Sequence, residues 1–160
     1  LLSMFSGVLK FNGYNVEKLN YIRKSPEEIN NNESISLSPQ IMFKLILKKD
    51  NPLKCNVIIG IRLGYDDNVL PFKVEVVVKG YFELEDKEPT ELDGICKFYL
   101  QNGTAILYPY LRAMVTTITS TGNYQAIILP TVNFYKLIEN CNIEEVSLPS
   151  EMYEEFNQYI

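Results

Sequence analysis

Three consecutive segments in the middle of the chain alternate apolar and polar residues with a period of two. They cover residues 41–49, 54–65 and 70–84, and clusters of turn-forming residues separate them at 50–52 and 66–68. Period-two alternation is typical of strands that bury one face, and short turns place such strands antiparallel to one another. The pattern therefore predicts an antiparallel meander.

One face of the predicted meander is apolar along its length, and the other is mainly charged. The apolar positions are Ile41, Phe43, Leu45, Leu47, Cys55, Val57, Ile59, Ile61, Leu63, Tyr65, Leu70, Phe72, Val74, Val76, Val78, Phe82 and Leu84. The opposite positions, which we expect to be solvated, include Lys44, Lys54, Arg62, Lys73, Glu75, Lys79 and Glu83. A less regular alternation at 16–24 predicts a fourth strand, and the polar stretch 25–38 predicts a long surface crossover.

Beyond the meander, apolar residues recur at spacings of three and four, which indicates helices. A short helix that starts near Leu92 is predicted to end at the breaker Asn102-Gly103. Thr104 is predicted to cap a second helix over 104–121, with a kink or a restart at Pro109.

Three shorter elements are predicted after these helices. They are an extended run at 126–129, a helix capped by Asn133, and a terminal helix that follows Ser150. With 160 residues, of which 46% are hydrophobic, the chain fits one domain spanning 1–160. The predicted fold class is α+β, with a four-stranded antiparallel sheet and C-terminal helices packed on one face.

Charge and composition exclude several function classes. The net charge of −5, without a basic block, argues against nucleic acid and against an anionic membrane surface. The sequence has no run of 18 apolar residues, so it does not predict a membrane-spanning helix. The sequence starts at Leu1 rather than Met, which indicates a trimmed start or one that lies upstream.

Catalytic chemistry has little support in the residue types present. The chain has no histidine, which removes Ser-His and Cys-His nucleophiles and His-ligated zinc. Its three cysteines are far apart, without a C-x-x-C pair, so they predict neither a disulfide framework nor a metal site but a reduced, cytoplasmic compartment. We therefore predict a non-enzyme without a cofactor.

Apolar and aromatic residues are more numerous in the helical half than one buried face requires. The predicted helix 104–121 carries Ile106, Tyr108 and Ala113 outside its main apolar stripe, which favours a homo-oligomer. The 11 tyrosines and 8 phenylalanines suit either an apolar recognition groove or core and oligomer contacts.

Several motifs over residues 70–134 resemble the protein-export chaperone SecB family. They are Leu107-Tyr108-Pro109-Tyr110-Leu111-Arg112, then Gly122 with Tyr124, then Pro130 with Val132-Asn133-Phe134, and upstream Pro71 to Val76 with Gly80-Tyr81-Phe82. In the order of its elements, the resemblance extends over about 16–140.

The resemblance implies a homotetrameric, ATP-independent holdase, a dimer of dimers whose helices lie between two sheets. It would bind unfolded or precursor polypeptides in apolar grooves for protein export. On matching motif positions, it implies that Phe72, Tyr108, Tyr110 and Phe134 line the client groove. Glu75 matches an acidic position at which the family docks the translocase motor SecA.

Some positions depart from the family pattern, and other functions therefore stay open. Lys73 replaces an apolar docking residue, Leu19 and Arg23 stand where acidic residues are usual, and Gln125 replaces a proline. One alternative is a SecB-like chaperone dedicated to the antitoxin of a toxin–antitoxin system. The other is an adaptor that binds one folded partner.

Overall fold

The computed structural model of the chain describes residues 9–29, 37–48, 51–66, 68–85 and 92–149. Its elements are β1 (Leu9–Arg23), a 3-10 turn (Pro26–Glu28), β2 (Gln40–Lys48), β3 (Asn51–Leu63), β4 (Phe72–Leu84), α1 (Leu92–Ser120), α2 (Phe134–Glu139), α3 (Ile143–Val146) and β5 (Ser147–Pro149). The strands form one sheet in the order β1-β4-β3-β2-β5. The predicted α+β class is confirmed.

The predicted four antiparallel strands are β1 to β4, and the structure adds one more. Strand β4 pairs with β1 and β3, and β3 pairs with β2, all antiparallel. The three-residue β5 then pairs with β2 in parallel. Because β5 is so short and its residues show no alternation, sequence pattern alone does not predict it.

Strand β1 starts at Leu9, well before the predicted residue 16. Two bulges explain why the alternation in the sequence does not show its full length. Its pairing with β4 shifts register between Phe11 and Tyr14 and again between Val16 and Lys18. Gly13, in the first bulge, has a φ of 105°, a conformation that favours glycine. Each extra residue moves the following side chains to the opposite face, which interrupts the period-two pattern.

The core lies between α1 and the predicted apolar face of the sheet. Fully buried side chains there include Val57, Ile59, Val74, Val76, Val78, Leu107 and Leu111. We expected the opposite face to be solvated, but part of it is buried. Ile46, Ile58 and Val77 form a second buried cluster on it, and Glu75 beside them is also buried.

Helix α1 is continuous where the sequence predicts two helices. Gly103 lies inside the helix and does not end it. A Cβ at this position would lie only 2.7 Å from Cγ2 of Val57 on β3. The glycine therefore permits close approach of helix and sheet. Thr104 likewise does not cap a helix, because its hydroxyl donates to the carbonyl of Leu100 one turn earlier.

The remaining predictions have mixed outcomes. Asn133 caps α2 as predicted, since its side-chain oxygen accepts the backbone N–H of Lys136 at 3.2 Å. Residues 126–129 form no strand. The terminal helix predicted after Ser150 lies outside the described residues. None of the helices in the described ranges is long and apolar enough to cross a membrane.

Candidate functional site

The connecting segment, residues 121–133 between α1 and α2, crosses one side of α1 and is fixed there by hydrogen bonds. The hydroxyl of Thr116 donates to the carbonyl of Ile127 at 2.9 Å, and the backbone N–H of Ile127 donates to Oγ1 of Thr119 at 2.9 Å. The hydroxyl of Tyr108 donates to the carbonyl of Pro130. These bonds hold the extended run predicted at 126–129 against α1 without strand pairing.

A cleft of about 970 Å³ lies between α1 and the end of the connecting segment. The rings of Tyr108 and Phe134 form part of its wall and meet edge to face, with centroids 5.0 Å apart. Both side chains are almost fully buried. Gln101 and Asn102 add amide groups to the lining, and Tyr135, which is 63% exposed, lies at the rim.

A second cleft of about 430 Å³ lies at the start of the same segment. Phe72 lines it from β4, where its ring stacks on Tyr21 with centroids 5.3 Å apart. Tyr124 approaches the ring of Phe72 at 6.1 Å, and Ile128 lies opposite with 70% of its surface exposed. The connecting segment thus lines both clefts.

Tyr110 lies in neither cleft. Its ring contacts Tyr14 and Phe11 of β1, with centroid distances of 4.7 and 6.1 Å, and the side chain is 41% exposed. The four groove residues implied by the resemblance therefore fall into three places. Tyr108 and Phe134 come together, Phe72 lies in the second cleft, and Tyr110 packs on β1.

The family model of SecB, the preprotein translocase subunit, matches residues 16–144. The chain belongs to the SecB family. It is 32% identical over 154 residues to an uncharacterized protein of Methanocaldococcus jannaschii, covering 94% of both chains. It is also 30% identical over 135 residues to the protein-export protein SecB of Azoarcus sp., covering 79% of this chain and 85% of that one.

Two solved structures share the fold of this SecB-family chain. One is a SecB-like chaperone of Mycobacterium tuberculosis in complex with a peptide from the HigA1 antitoxin, with a TM-score of 0.55 and 15% identity over 78% of this chain and 90% of that one. The other is a protein of unknown function from Streptococcus agalactiae, with a TM-score of 0.51 and 11% identity over 79% and 99%. SecB-family proteins are non-enzymatic chaperones, so the prediction of a non-enzyme is confirmed.

Glu75, the position matched to SecA docking, is only 2% exposed in this SecB-family chain. Its carboxylate lies 2.7 Å from Nζ of Lys18 and 2.8 Å from Nε of Arg62. Burial alone would raise the pKa of this carboxyl, but the hydrogen bonds and charges of Lys18 and Arg62 outweigh burial and lower the pKa below its usual value. Our expectation that the carboxylate is solvated is therefore wrong.

The sequence pattern did not indicate three exposed residues that line the clefts, namely Tyr124, Ile128 and Tyr135. Tyr135 directly follows Phe134 on α2, and consecutive helical residues point about 100° apart, so one is buried and its neighbour exposed. Ile128 similarly sits between Ile127 and Leu129, which are both buried. The apolar character of a segment therefore does not show which of its neighbouring residues are buried and which are exposed.

The chemistry of the clefts is apolar and aromatic with a few neutral amides. Burial raises the pKa of the Tyr108 hydroxyl, so this hydroxyl stays protonated and donates to Pro130. Burial also raises the pKa of the Cys55 thiol, which lies in the core beneath α1 and stays protonated. Such groups suit contact with side chains and backbone of another polypeptide rather than bond-breaking chemistry.

Proposed function

We propose that this chain is an ATP-independent holdase that binds extended segments of unfolded or precursor polypeptides, for protein export. The observation that carries the proposal is the pair of aromatic-lined clefts along one hydrogen-bonded connecting segment. An extended chain that follows this segment would place side chains in both clefts.

Apolar burial is non-directional, so such clefts suit clients of many sequences. The exposed rings of Tyr124 and Tyr135 supply contact area with few rotatable bonds. The side-chain nitrogens of Gln101 and Asn102 donate to the carbonyls of Tyr135 and Phe98, so their side-chain oxygens are the groups that would accept from the backbone N–H groups that every client carries. The M. tuberculosis relative of this fold was solved with a bound peptide, which supports polypeptides as the ligand class.

The groove assignment of Phe72, Tyr108 and Phe134 is kept in this proposal, with Tyr124, Ile128 and Tyr135 added as the exposed contacts. Since the first three are almost fully buried, we infer that they shape the clefts and that the exposed three make most of the client contact. Tyr110 is assigned to β1 and to the surface around it.

We further propose a cytoplasmic homotetramer, a dimer of dimers. Strand β1 is an edge of the sheet, and three of its apolar side chains are about half exposed: Val16, Leu19 and Ile22. On α1, Ala113 and Thr117 are exposed small residues outside the first cleft, and with Ala105 and Pro109 of the cleft wall they form one stripe of small residues. Both surfaces suit contacts between copies of the chain.

Docking of SecA through Glu75 stays a prediction. In the single chain its carboxylate is enclosed by Lys18 and Arg62, so a partner would first meet these two cations. Glu75→Gln keeps the shape of the side chain and removes its charge. If SecA binds wild type but not this variant, while thermal melting shows the variant folded, the docking role is supported.

The deciding experiment compares clients. Purified protein, without ATP, is added at equimolar ratio to several unrelated proteins during thermal or dilution-induced aggregation, followed by light scattering. We expect delayed aggregation of all of them. Binding of one folded partner alone would favour the adaptor hypothesis, and protection of a single antitoxin alone would favour a dedicated chaperone.

A further inference from the structure

The outer edge of β2 is partly covered by a strand of the same chain. Strand β5 pairs in parallel with the end of β2, with Leu45 opposite Ser147, Ile46 opposite Leu148 and Leu47 opposite Pro149. Every other strand pair in the sheet is antiparallel and at least nine residues long. The pairing of β5 with β2 at this edge is therefore the shortest strand pairing in the sheet.

Several features make β5 easy to displace. It has three residues, and the last of them, Pro149, has no N–H to donate to the ladder. It directly follows α3, a helix of four residues. One contact opposes displacement: Nζ of Lys44 on β2 donates to the carbonyl of Glu145 at 2.8 Å and holds the end of this helix.

Within the described residues, the first part of the outer β2 edge has no strand beside it. Strand β2 has nine residues, and β5 pairs with Leu45–Leu47 only. In the described part of the chain, no strand pairs with Gln40–Phe43 on this side. An edge of this kind presents backbone N–H and C=O groups to any extended segment.

We propose that the outer edge of β2 is a strand-addition site for an extended client segment, and that β5 is an internal occupant which the client displaces. This inference rests on the proposed function, since it names a further site for the same clients. The client would be a segment with apolar residues at alternate positions, because Ile41, Phe43 and Leu45 lie on the helix-covered face of β2.

The test weakens β5 in two independent ways. Leu148→Pro removes the N–H of the central residue of β5, and Lys44→Gln removes the contact that holds the end of α3. The matched control is Lys54→Gln, which removes an exposed lysine from β3. The probe is a fluorescein-labelled peptide of alternating valine and threonine, whose fluorescence anisotropy is measured as the protein of residues 1–160 is added.

We expect Leu148→Pro to bind the peptide about tenfold more tightly than wild type, the effect of one or two net backbone hydrogen bonds, and Lys44→Gln to shift affinity in the same direction. Lys54→Gln should bind like wild type. Faster amide hydrogen exchange at Leu45–Leu47 in the free Leu148→Pro variant should accompany the gain.

A reversible lock provides the opposite change. Ile46 and Leu148 are opposite each other, so a disulfide in Ile46→Cys/Leu148→Cys, made with Cys141→Ser, would hold β5 on β2. The oxidised form should bind the peptide about tenfold more weakly than the reduced form of the same protein. Equal affinity of oxidised, reduced and Leu148→Pro proteins overturns the inference; if these proteins still suppress aggregation, the proposed function survives.

Discussion

At the scale of residues, the clefts separate side chains that hold the structure from side chains that are free to touch a client. Tyr108 and Phe134 are almost fully buried and contact each other, whereas Tyr135 at the first cleft and Ile128 at the second are mostly exposed. Truncating a buried ring leaves a cavity, and truncating an exposed ring removes only contact area. The two kinds of residue should therefore respond differently to mutation.

We expect Tyr135→Ala and Ile128→Ala each to lower client affinity by about 1 kcal/mol, roughly fivefold, with an unchanged melting temperature. Phe134→Ala should lower the free energy of unfolding by about 3 kcal/mol. Peptide titrations and circular dichroism melts on the same proteins separate the effects. Unchanged client affinity in both Tyr135→Ala and Ile128→Ala would show that neither cleft belongs to the client site.

The buried carboxylate of Glu75 should make stability depend on pH. Its pKa is lowered in the folded chain, so its stabilising effect is complete above the pKa of the unfolded state and is lost as pH falls through the folded pKa. Glu75→Gln should cost about 2 kcal/mol at pH 7, the value of hydrogen bonds to a charged group, and less at pH 3. Urea denaturation at both pH values measures this difference. The exposed Glu139→Gln serves as control, and an equal loss in the two variants would contradict the prediction.

At the scale of elements, α1 depends on Gly103 for its position over β3. Gly103→Ala would normally stabilise a helix by about 1 kcal/mol. Here the added Cβ would collide with Val57, so we expect a net loss of about 1 to 3 kcal/mol.

Val57→Ala provides the matched test of this collision. If the added Cβ meets the Val57 side chain, the double variant Gly103→Ala/Val57→Ala should recover part of the stability that Gly103→Ala loses. Urea denaturation of the four proteins gives the coupling. Additive effects of the two substitutions would show that the contact does not limit the approach of α1.

The core positions of the strands could be predicted from the sequence, whereas the role of Gly103 in α1 could not. Strands β2, β3 and β4 have regular alternation, and it assigns their helix-facing core residues correctly. Gly103 and the bulge at Gly13 have roles set by distant parts of the chain, and local pattern cannot distinguish a glycine chosen for close packing from one that ends a helix. In the site, the motifs located Tyr108 and Phe134, but exposure of their neighbours depends on how the connecting segment lies on α1.

At the scale of the whole molecule, the surfaces at β1 and along α1 lie on different elements and should act in different interfaces of the proposed tetramer. Leu19 on β1 is about half exposed, and Ala113 on α1 is exposed within the small-residue stripe. A charged or bulky residue at one surface should break one interface and leave the other intact.

We expect wild type to have four times the chain mass of 18.4 kDa in multi-angle light scattering at micromolar concentration. Leu19→Asp and Ala113→Arg should each give a dimer, and the double variant a monomer. Glu139→Gln, which changes charge on α2, should stay tetrameric. A stable wild-type monomer would contradict the assembly.

The connecting segment is held by its backbone, and this bears on how such a site changes during evolution. The bonds from α1 reach the N–H and carbonyl of Ile127 and the carbonyl of Pro130, groups that do not depend on the side chains there. Substitutions at Tyr124 or Ile128 therefore alter what the clefts accept without moving the segment. Relatives with the same helix hydroxyls can diverge in client preference while keeping one scaffold.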